Sequence, residues 1–90
     1  MQKTITILVK GKVQGVFFRQ STREKALSLG ITGRVRNQPD ETVLIIASGT
    51  TAQLSELAQW CCEGPPKARV TAVDVNEIPT QQFDSFTIER

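Results

Sequence analysis

The sequence contains no histidine, and only two of its 90 residues are cysteines. Without imidazole, one chain cannot assemble a Ser-His-Asp triad, a Cys-His pair or a Cys/His zinc site. Cys61 and Cys62 are adjacent, a spacing that strains a disulfide between them and that fits no metal site without ligands from elsewhere. Whatever chemistry the chain performs must therefore use other side chains or the backbone.

Long apolar runs are also missing. The first residues, MQKTITILVKG, carry a charge every few positions, unlike a signal peptide, and no later segment approaches the roughly 18 to 20 apolar residues of a bilayer span. We therefore expect a cytoplasmic protein that does not enter a membrane. With 39% hydrophobic and 22% charged residues, residues 1–90 are expected to form one globular domain that is complete in itself and monomeric.

Strong charge of one sign is absent too. Eleven basic and nine acidic residues leave a net charge of +2, which is too small for a protein whose main role is to coat a nucleic-acid backbone. Nucleic acid is therefore not expected as a partner. A small anion remains a reasonable ligand.

The first third of the chain has the pattern of a strand followed by a helix. Apolar residues alternate from position 5 to position 9, the period of a half-buried strand, which we expect to break at Gly11. From Phe18 they recur at helical spacing as far as Gly30, a residue typical of helix ends. A short amphipathic helix is predicted there.

A hairpin and a second helix follow. Residues 31–37 alternate like a strand, residues 42–47 form a β-branched run, and NQPDE between them has the composition of a tight reversal. Thr50 and Gln53 have the spacing of a capping box, so a helix is predicted to begin there and to end before Gly64.

Two further strand patterns lie at residues 70–75 and 86–88. The order of elements predicts an α+β, ferredoxin-like βαββαβ sandwich, with two helices packed on one face of an antiparallel sheet and a short C-terminal strand. Many unrelated functions use this fold, so the activity must be argued from a site.

The stretch GKVQGVFFRQ, residues 11–20, lies between the first strand and the first helix. Its glycines, Gly11 and Gly15, permit backbone angles at which successive N–H groups converge on an anion, and the first amides of the helix add to them. Arg19 can hold two phosphate oxygens at once. The stretch lacks the Gly-Lys-Ser/Thr ending of a P-loop, and a solvated connector is the commoner meaning of the pattern alone.

Several segments together closely resemble the motifs of the acylphosphatase family. They are VQGVFFR at 13–19, GRVRN at 33–37 with Val43 and Gly49 after it, GPPKARV at 64–70 and FTIER at 86–90. The resemblance covers nearly the whole chain in register, and the length favours a free-standing form over a domain of a larger enzyme.

The resemblance implies hydrolysis of the carboxyl–phosphate bond of acyl phosphates, with inorganic phosphate as a product and with neither a metal nor an organic cofactor. It places the catalytic arginine at Arg19 and the catalytic asparagine at Asn37. The phosphate-binding amides it implies are those of Gln14, Gly15, Val16, Phe17, Phe18 and Arg19. The alternative is a non-catalytic phosphate- or anion-binding module of the same fold.

Asn37 and two departures from the family pattern leave questions open. An asparagine before Gln-Pro-Asp is commonly a turn former whose side chain bonds nearby backbone, and that role could coexist with a catalytic one. Arg34 stands where the family often has an aromatic residue, and we expect it on a solvated strand face. Glu41 replaces a glycine that would tolerate positive φ, so strain or a different turn type is expected there.

The remaining aromatic and sulfur-bearing residues are expected to be structural. Phe18 is predicted to anchor the helix in the core and Phe17 to pack within the loop. Base stacking is not favoured, because the strands that carry stacking aromatics in RNA-binding versions of this fold have none here. Cys61 and Cys62 end a helix, where the dipole disfavours a thiolate, so inert thiols are predicted.

Overall fold

The computed structural model describes residues 2–89, which form five strands and two helices. In chain order these are β1 (Lys3–Lys12), α1 (Phe18–Leu29), β2 (Thr32–Asn37), β3 (Val43–Gly49), α2 (Thr51–Cys61), β4 (Arg69–Ile78) and β5 (Phe86–Ile88). The predicted order of elements is confirmed, including the short last strand. Neither helix has the length and apolar character that crossing a bilayer would require.

The strands form one sheet in the order β4-β1-β3-β2-β5. The four strands from β4 to β2 form the predicted antiparallel sheet, and the short last strand, β5, is added to it parallel to β2, so the whole sheet is mixed. The reason is one reversal of the chain after β4. That reversal points β5 along β1 and β2, but the segment crosses to the far edge and pairs with β2.

The core lies between the helices and one face of the sheet. Every second residue of β1 faces it, and so do apolar residues of β2, β3 and both helices, as the alternation in the sequence predicts. Side chains with no exposed surface include Ile7, Val9, Val35, Ile45, Ala26 and Leu57. The two helices thereby fix the positions of the loops at the ends of the strands that they cover.

β1 does not break at Gly11, contrary to the prediction. Its pairing with β4 shifts between Lys10 and Gly11 and then continues to Lys12, which is the signature of a β-bulge. Gly11 has φ 124°, and a Cβ there would collide with the backbone of Arg69. A glycine is therefore what allows the strand to bend here, just before the loop that leads into α1.

α2 begins with the predicted capping box. The Thr50 hydroxyl accepts a hydrogen bond from the Gln53 amide at 3.2 Å, and Gln53 Oε1 accepts one from the Thr50 amide at 2.9 Å. At the other end of the helix both cysteines are free, with Cys61 buried and Cys62 exposed. Burial raises the pKa of the Cys61 thiol to about 12, so it stays protonated at neutral pH.

Phe18 anchors the start of α1 in the core, as predicted. Its side chain is almost fully buried, and its ring centroid lies 5.6 Å from that of Trp60 on α2. Gly64 lies directly against the Phe18 ring, which leaves no room for a side chain. The aromatic pair therefore fixes the first turn of α1 against α2.

Candidate active site

A cavity of about 320 Å³ opens where β1 passes into α1. It is lined by Val13, Gly15, Phe17, Phe18, Arg19, Gln20, Asn37 and Ile88. β1 and β2 are not neighbours, since β3 lies between them, but they run in the same direction. The C-terminal ends of β1 and β2 therefore lie at the same end of the sheet, and this brings Asn37 close to the loop that follows β1.

The first turn of α1 faces this cavity without a capping side chain. The N-cap residue is Phe17, which makes no side-chain cap, and the turn contains no acidic residue. The first amides of an α-helix have no partner inside the helix. The amides of residues 14–18, in the loop and at the start of α1, donate no hydrogen bond to a backbone carbonyl of residues 2–89. These amides thus lack a backbone partner in the described chain, and they lie at the positive end of the helix dipole, which favours an anion.

Positive φ values shape this loop. Gly15 has φ 74° and Phe17 has φ 63°, so the chain turns through the left-handed region twice before α1 begins. A Cβ at Gly15 would meet no heavy atom within 4 Å. The space beside Gly15, which lines the cavity, is therefore open, and its positive φ rather than crowding is what favours glycine there.

Arg19 lies on the first turn of α1 and is half-buried in the wall of the cavity. Its Nη1 donates a hydrogen bond of 3.3 Å to the carbonyl oxygen of Glu89, which follows β5. That bond holds one corner of the guanidinium. A guanidinium has five N–H donors, so one bond leaves most of them for an anion.

Asn37 is the last residue of β2 and pairs with Val43 of β3. Its Oδ1 is buried, yet it has no hydrogen-bond partner within residues 2–89. A buried polar atom without a partner is costly, and of the three such side-chain atoms in the described chain only Asn37 Oδ1 belongs to a residue that lines the cavity, which makes it a candidate for binding a ligand or water. The turn-forming alternative predicts a backbone partner for this oxygen, and none is found in the described part of the chain.

The turn after Asn37 is held by other residues. Asp40 Oδ1 accepts hydrogen bonds from the Thr42 hydroxyl at 2.6 Å and from the Thr42 amide at 3.2 Å. These bonds favour the charged carboxylate and hold the pKa of Asp40 below its usual value. Gln38 Nε2 donates to the Thr42 hydroxyl oxygen at 3.0 Å. The Asn37 carboxamide is therefore not needed to close the turn.

Gln14 connects the loop to this turn. Its Nε2 donates hydrogen bonds of 2.9 Å to the carbonyl oxygens of both Gln38 and Thr42. The bonds join the loop before α1 to the residues that immediately follow Asn37, so the two halves of the cavity wall are held in register. Sequence reasoning assigned Gln14 only through its main-chain amide and missed this side-chain role, because no local spacing indicates partners 24 and 28 residues away.

The structure brings most of the predicted site residues together. Of the seven, Gly15, Phe17, Phe18, Arg19 and Asn37 line the cavity. The Gln14 side chain reaches the turn instead, and the Val16 side chain is buried in the core. Lining the cavity does not by itself show a role, so the catalytic and phosphate-binding roles of all seven residues stay predictions.

The expectation that Phe17 packs within the loop is wrong. Its side chain is 72% exposed, more than any other large hydrophobic residue of the described chain. The left-handed conformation at the N-cap directs the ring away from the core that Phe18 fills. Phe17 is thus an aromatic side chain that stands at the rim of the cavity.

Arg34 and Arg36 are paired elsewhere. Arg34 Nε and Arg36 Nη1 each lie 3.9 Å from Glu89 Oε1, and the Arg34 guanidinium lies over the Phe83 ring at 5.8 Å. Neither arginine lines the cavity. The departure from the family pattern at Arg34 therefore leaves the cavity wall unchanged.

Glu41 has φ 71°, in the left-handed region where glycine is the residue that costs least. A non-glycine residue in this region costs roughly 1–2 kcal/mol. We expect Glu41→Gly to raise the free energy of unfolding by about 0.5–1 kcal/mol, since part of the relief is offset by the greater freedom of glycine in the unfolded chain.

Urea unfolding of the purified variants measures this change. Glu41→Ala is the control, because it removes the charge but keeps the strained backbone, and we expect it to be less stable than Glu41→Gly by about 1 kcal/mol. Equal stabilities of the two variants would show that the turn carries no strain at this position.

Potential metal ligands are sparse around the cavity. Its lining contains no acidic residue and no cysteine, and no group of three His, Cys, Asp or Glu side chains in the described chain could hold an ion together. The cavity offers amide N–H groups, a guanidinium and a carboxamide. That donor set suits an oxyanion.

Comparisons with known proteins agree that the cavity is a site for an oxyanion such as a phosphoryl group. The family model described as Acylphosphatase matches residues 5–88. The chain is 53% identical over 81 residues to an acylphosphatase of Marinobacter nauticus, covering 89% of this chain and 88% of the relative. It is 46% identical over 89 residues to an acylphosphatase of Methylococcus capsulatus, covering 98% and 97%. The solved structure of an acylphosphatase from Coxiella burnetii matches with a TM-score of 0.95 at 40% identity, over 98% of this chain and 93% of that one.

The family match spans most of the chain and includes both the loop before α1 and the end of β2. The chain belongs to the acylphosphatase family.

Proposed function

We propose that the chain hydrolyses acyl phosphates to a carboxylate and inorganic phosphate, with Arg19, the amides of the loop before α1 and Asn37 performing the reaction. The reaction is the one that membership of the family assigns. The residue roles are supported by the cavity that these groups share.

The phosphoryl group is bound by the main-chain amides of residues 14–19 and by the Arg19 guanidinium. The amides belong to a loop and a helix start that have no side-chain cap, and the helix dipole favours an anion there. Charge moves onto the transferred oxygens and the leaving group in the transition state. Fixed donors stabilise that charge without reorganising.

Asn37 orients the attacking water. The observation that carries this role is its Oδ1, which is buried beside the cavity without a hydrogen-bond partner in the described chain. A water molecule that donates one O–H to Asn37 Oδ1 would keep a lone pair on its own oxygen to attack phosphorus. Positioning of this kind replaces a chance encounter by a fixed geometry.

An acyl phosphate is a mixed anhydride, so its leaving group is a carboxylate. The water oxygen forms a bond to phosphorus, the bond from phosphorus to the acyl oxygen breaks, and its electron pair stays on the carboxylate. One water proton remains on the attacking oxygen and the other passes to a phosphate oxygen, which gives dihydrogen phosphate. Because a carboxylate needs little protonation to leave, the reaction requires neither a histidine acid nor a metal ion.

We propose that the chain acts on its own, with small-molecule acyl phosphates and inorganic phosphate as its ligands. Residues 1–90 act as one domain and as a monomer in the cytoplasm, where two free thiols are compatible with the reducing environment. All groups assigned to the reaction come from a single chain, and the small net charge of +2 argues against nucleic acid as a partner.

Hydrolysis of benzoyl phosphate in the presence of excess EDTA tests the proposal. We expect turnover to persist at the same rate with and without the chelator, because no step uses a metal. The absorbance change of benzoyl phosphate on hydrolysis measures it. Loss of turnover in EDTA would contradict the metal-free mechanism, and phosphate binding without any turnover would make the chain a binding module instead.

A further inference from the structure

Phe17 has no role in folding that would explain its identity. Its ring is 72% exposed, so it gains little from burial, and its backbone lies at φ 63°, where glycine is the residue that costs least. Gly15, two residues earlier, provides positive φ without a side chain. Folding alone would therefore favour glycine at position 17 as well.

The position of the ring relates it to the substrate. Phe17 lines the same cavity as Arg19 and Asn37, and it lies beside the first amides of α1. An acyl phosphate held there has its phosphoryl oxygens against the amides and the guanidinium. Water attacks roughly in line with the leaving group, so the acyl end cannot lie on the side where Asn37 guides the water.

The acyl group must then leave the cradle toward the rim, where Phe17 presents an apolar face. Ile88, which is partly exposed, also lines the cavity and is apolar. A charged or strongly hydrated acyl group would lose water against this surface without gaining a hydrogen bond. A flat apolar group would cover the ring and remove both surfaces from water.

We infer that Phe17 is a specificity-determining residue which selects acyl phosphates with aromatic or bulky apolar acyl groups over small ones such as acetyl phosphate. This rests on the proposed function, since it concerns the acyl end of the same substrate. The ring contacts the acyl group and not the phosphoryl group. It therefore acts mainly on KM, and leaves the affinity for inorganic phosphate unchanged.

The test compares kcat/KM for benzoyl phosphate and for acetyl phosphate in the wild type and in Phe17→Ala, which keeps the left-handed backbone strain but removes the ring. We expect the ratio of the two values to fall by about 10-fold in the variant, through a higher KM for benzoyl phosphate. Inhibition by inorganic phosphate and the urea midpoint are expected to stay at wild-type values.

Leu27→Ala is the matched control, because Leu27 is also an exposed large hydrophobic residue of α1 but does not line the cavity. Its ratio of kcat/KM for benzoyl phosphate to kcat/KM for acetyl phosphate should equal that of the wild type. An unchanged ratio in Phe17→Ala, with both substrates still hydrolysed, would overturn the inference and leave the proposed function intact.

If the wild type hydrolysed neither substrate, the proposed function would fail separately. Calorimetric titration with benzylphosphonate and methylphosphonate then decides the inference. Tighter binding of benzylphosphonate that disappears in Phe17→Ala supports it, and equal binding of the two phosphonates contradicts it.

Discussion

Replacing Arg19 by alanine is expected to lower kcat/KM for benzoyl phosphate by about a thousandfold or more, the range measured for arginines that stabilise phosphoryl transfer. Binding of inorganic phosphate should be lost at the same time. The guanidinium grips the phosphoryl group in the ground state and neutralises its charge in the transition state, so both properties depend on it. Steady-state kinetics and inhibition by inorganic phosphate measure the two effects.

The structure supplies a matched control for this variant. Arg23 lies one turn further along α1, and its Nε donates to the carbonyl oxygen of Phe86 at 3.1 Å, much as Arg19 Nη1 donates to the Glu89 carbonyl at 3.3 Å. Arg23 does not line the cavity. Each alanine variant removes one bond to the C-terminal segment, worth about 0.5–1.5 kcal/mol, so their stabilities should be similar.

Only the Arg19 variant should lose activity. If Arg23→Ala lost as much turnover as Arg19→Ala, the effect would be a loosening of the C-terminal segment rather than loss of an anion-binding group. Phosphate inhibition that survived in Arg19→Ala would likewise remove this arginine from the binding site.

The elements of the fold could be read from the sequence because each has a local cause. Alternating apolar residues mark β1, Thr50 with Gln53 marks the start of α2, and Gly30 closes α1 with its amide bonded to the carbonyl oxygens of Ala26 and Leu27. These signals lie within a few residues of the feature they specify. The structure confirms them.

Long-range pairing could not be read in the same way. The parallel contact of β5 with β2 depends on where a segment crosses the molecule, and nothing in FTI states its direction. The bulge at Gly11 was missed because a glycine can equally end a strand or bend it. Only the approach of the β4 backbone to Gly11 distinguishes the two.

In the candidate site, too, some features could be predicted from the sequence and others could not. The resemblance of VQGVFFR and GRVRN to the family motifs assigned Arg19, at the start of the first helix, and Asn37, at the end of the second strand, and both residues line the cavity. Residue types alone could not show that Gln14 ties the two segments together, nor that Phe17 points outward. Both depend on backbone geometry, namely the turn after Asn37 and the left-handed N-cap of α1.

Replacing Asn37 by alanine is expected to reduce catalysis while leaving phosphate binding intact. We expect Asn37→Ala to lower kcat by about 100- to 1000-fold, as when one preorganised polar contact to the reacting atoms is lost. Inhibition by inorganic phosphate should persist, because the loop amides and Arg19 remain. Asn76→Ala is the control, since Asn76 is exposed on β4, at the opposite edge of the sheet from β2 and β5, and should keep full activity.

Stability decides whether a loss of turnover in Asn37→Ala reflects the water or the fold. A structural asparagine would lose hydrogen bonds, and its replacement would destabilise the turn. Asn37 Oδ1 has no partner in the described chain, and the turn is closed by Asp40 and Gln38. The free energy of unfolding should therefore not fall by more than about 0.5 kcal/mol, and it should rise if the buried acceptor is a net cost. A variant with near-native kcat would remove Asn37 from the mechanism, whereas an inactive variant that had lost several kcal/mol of stability would make it a residue of the turn.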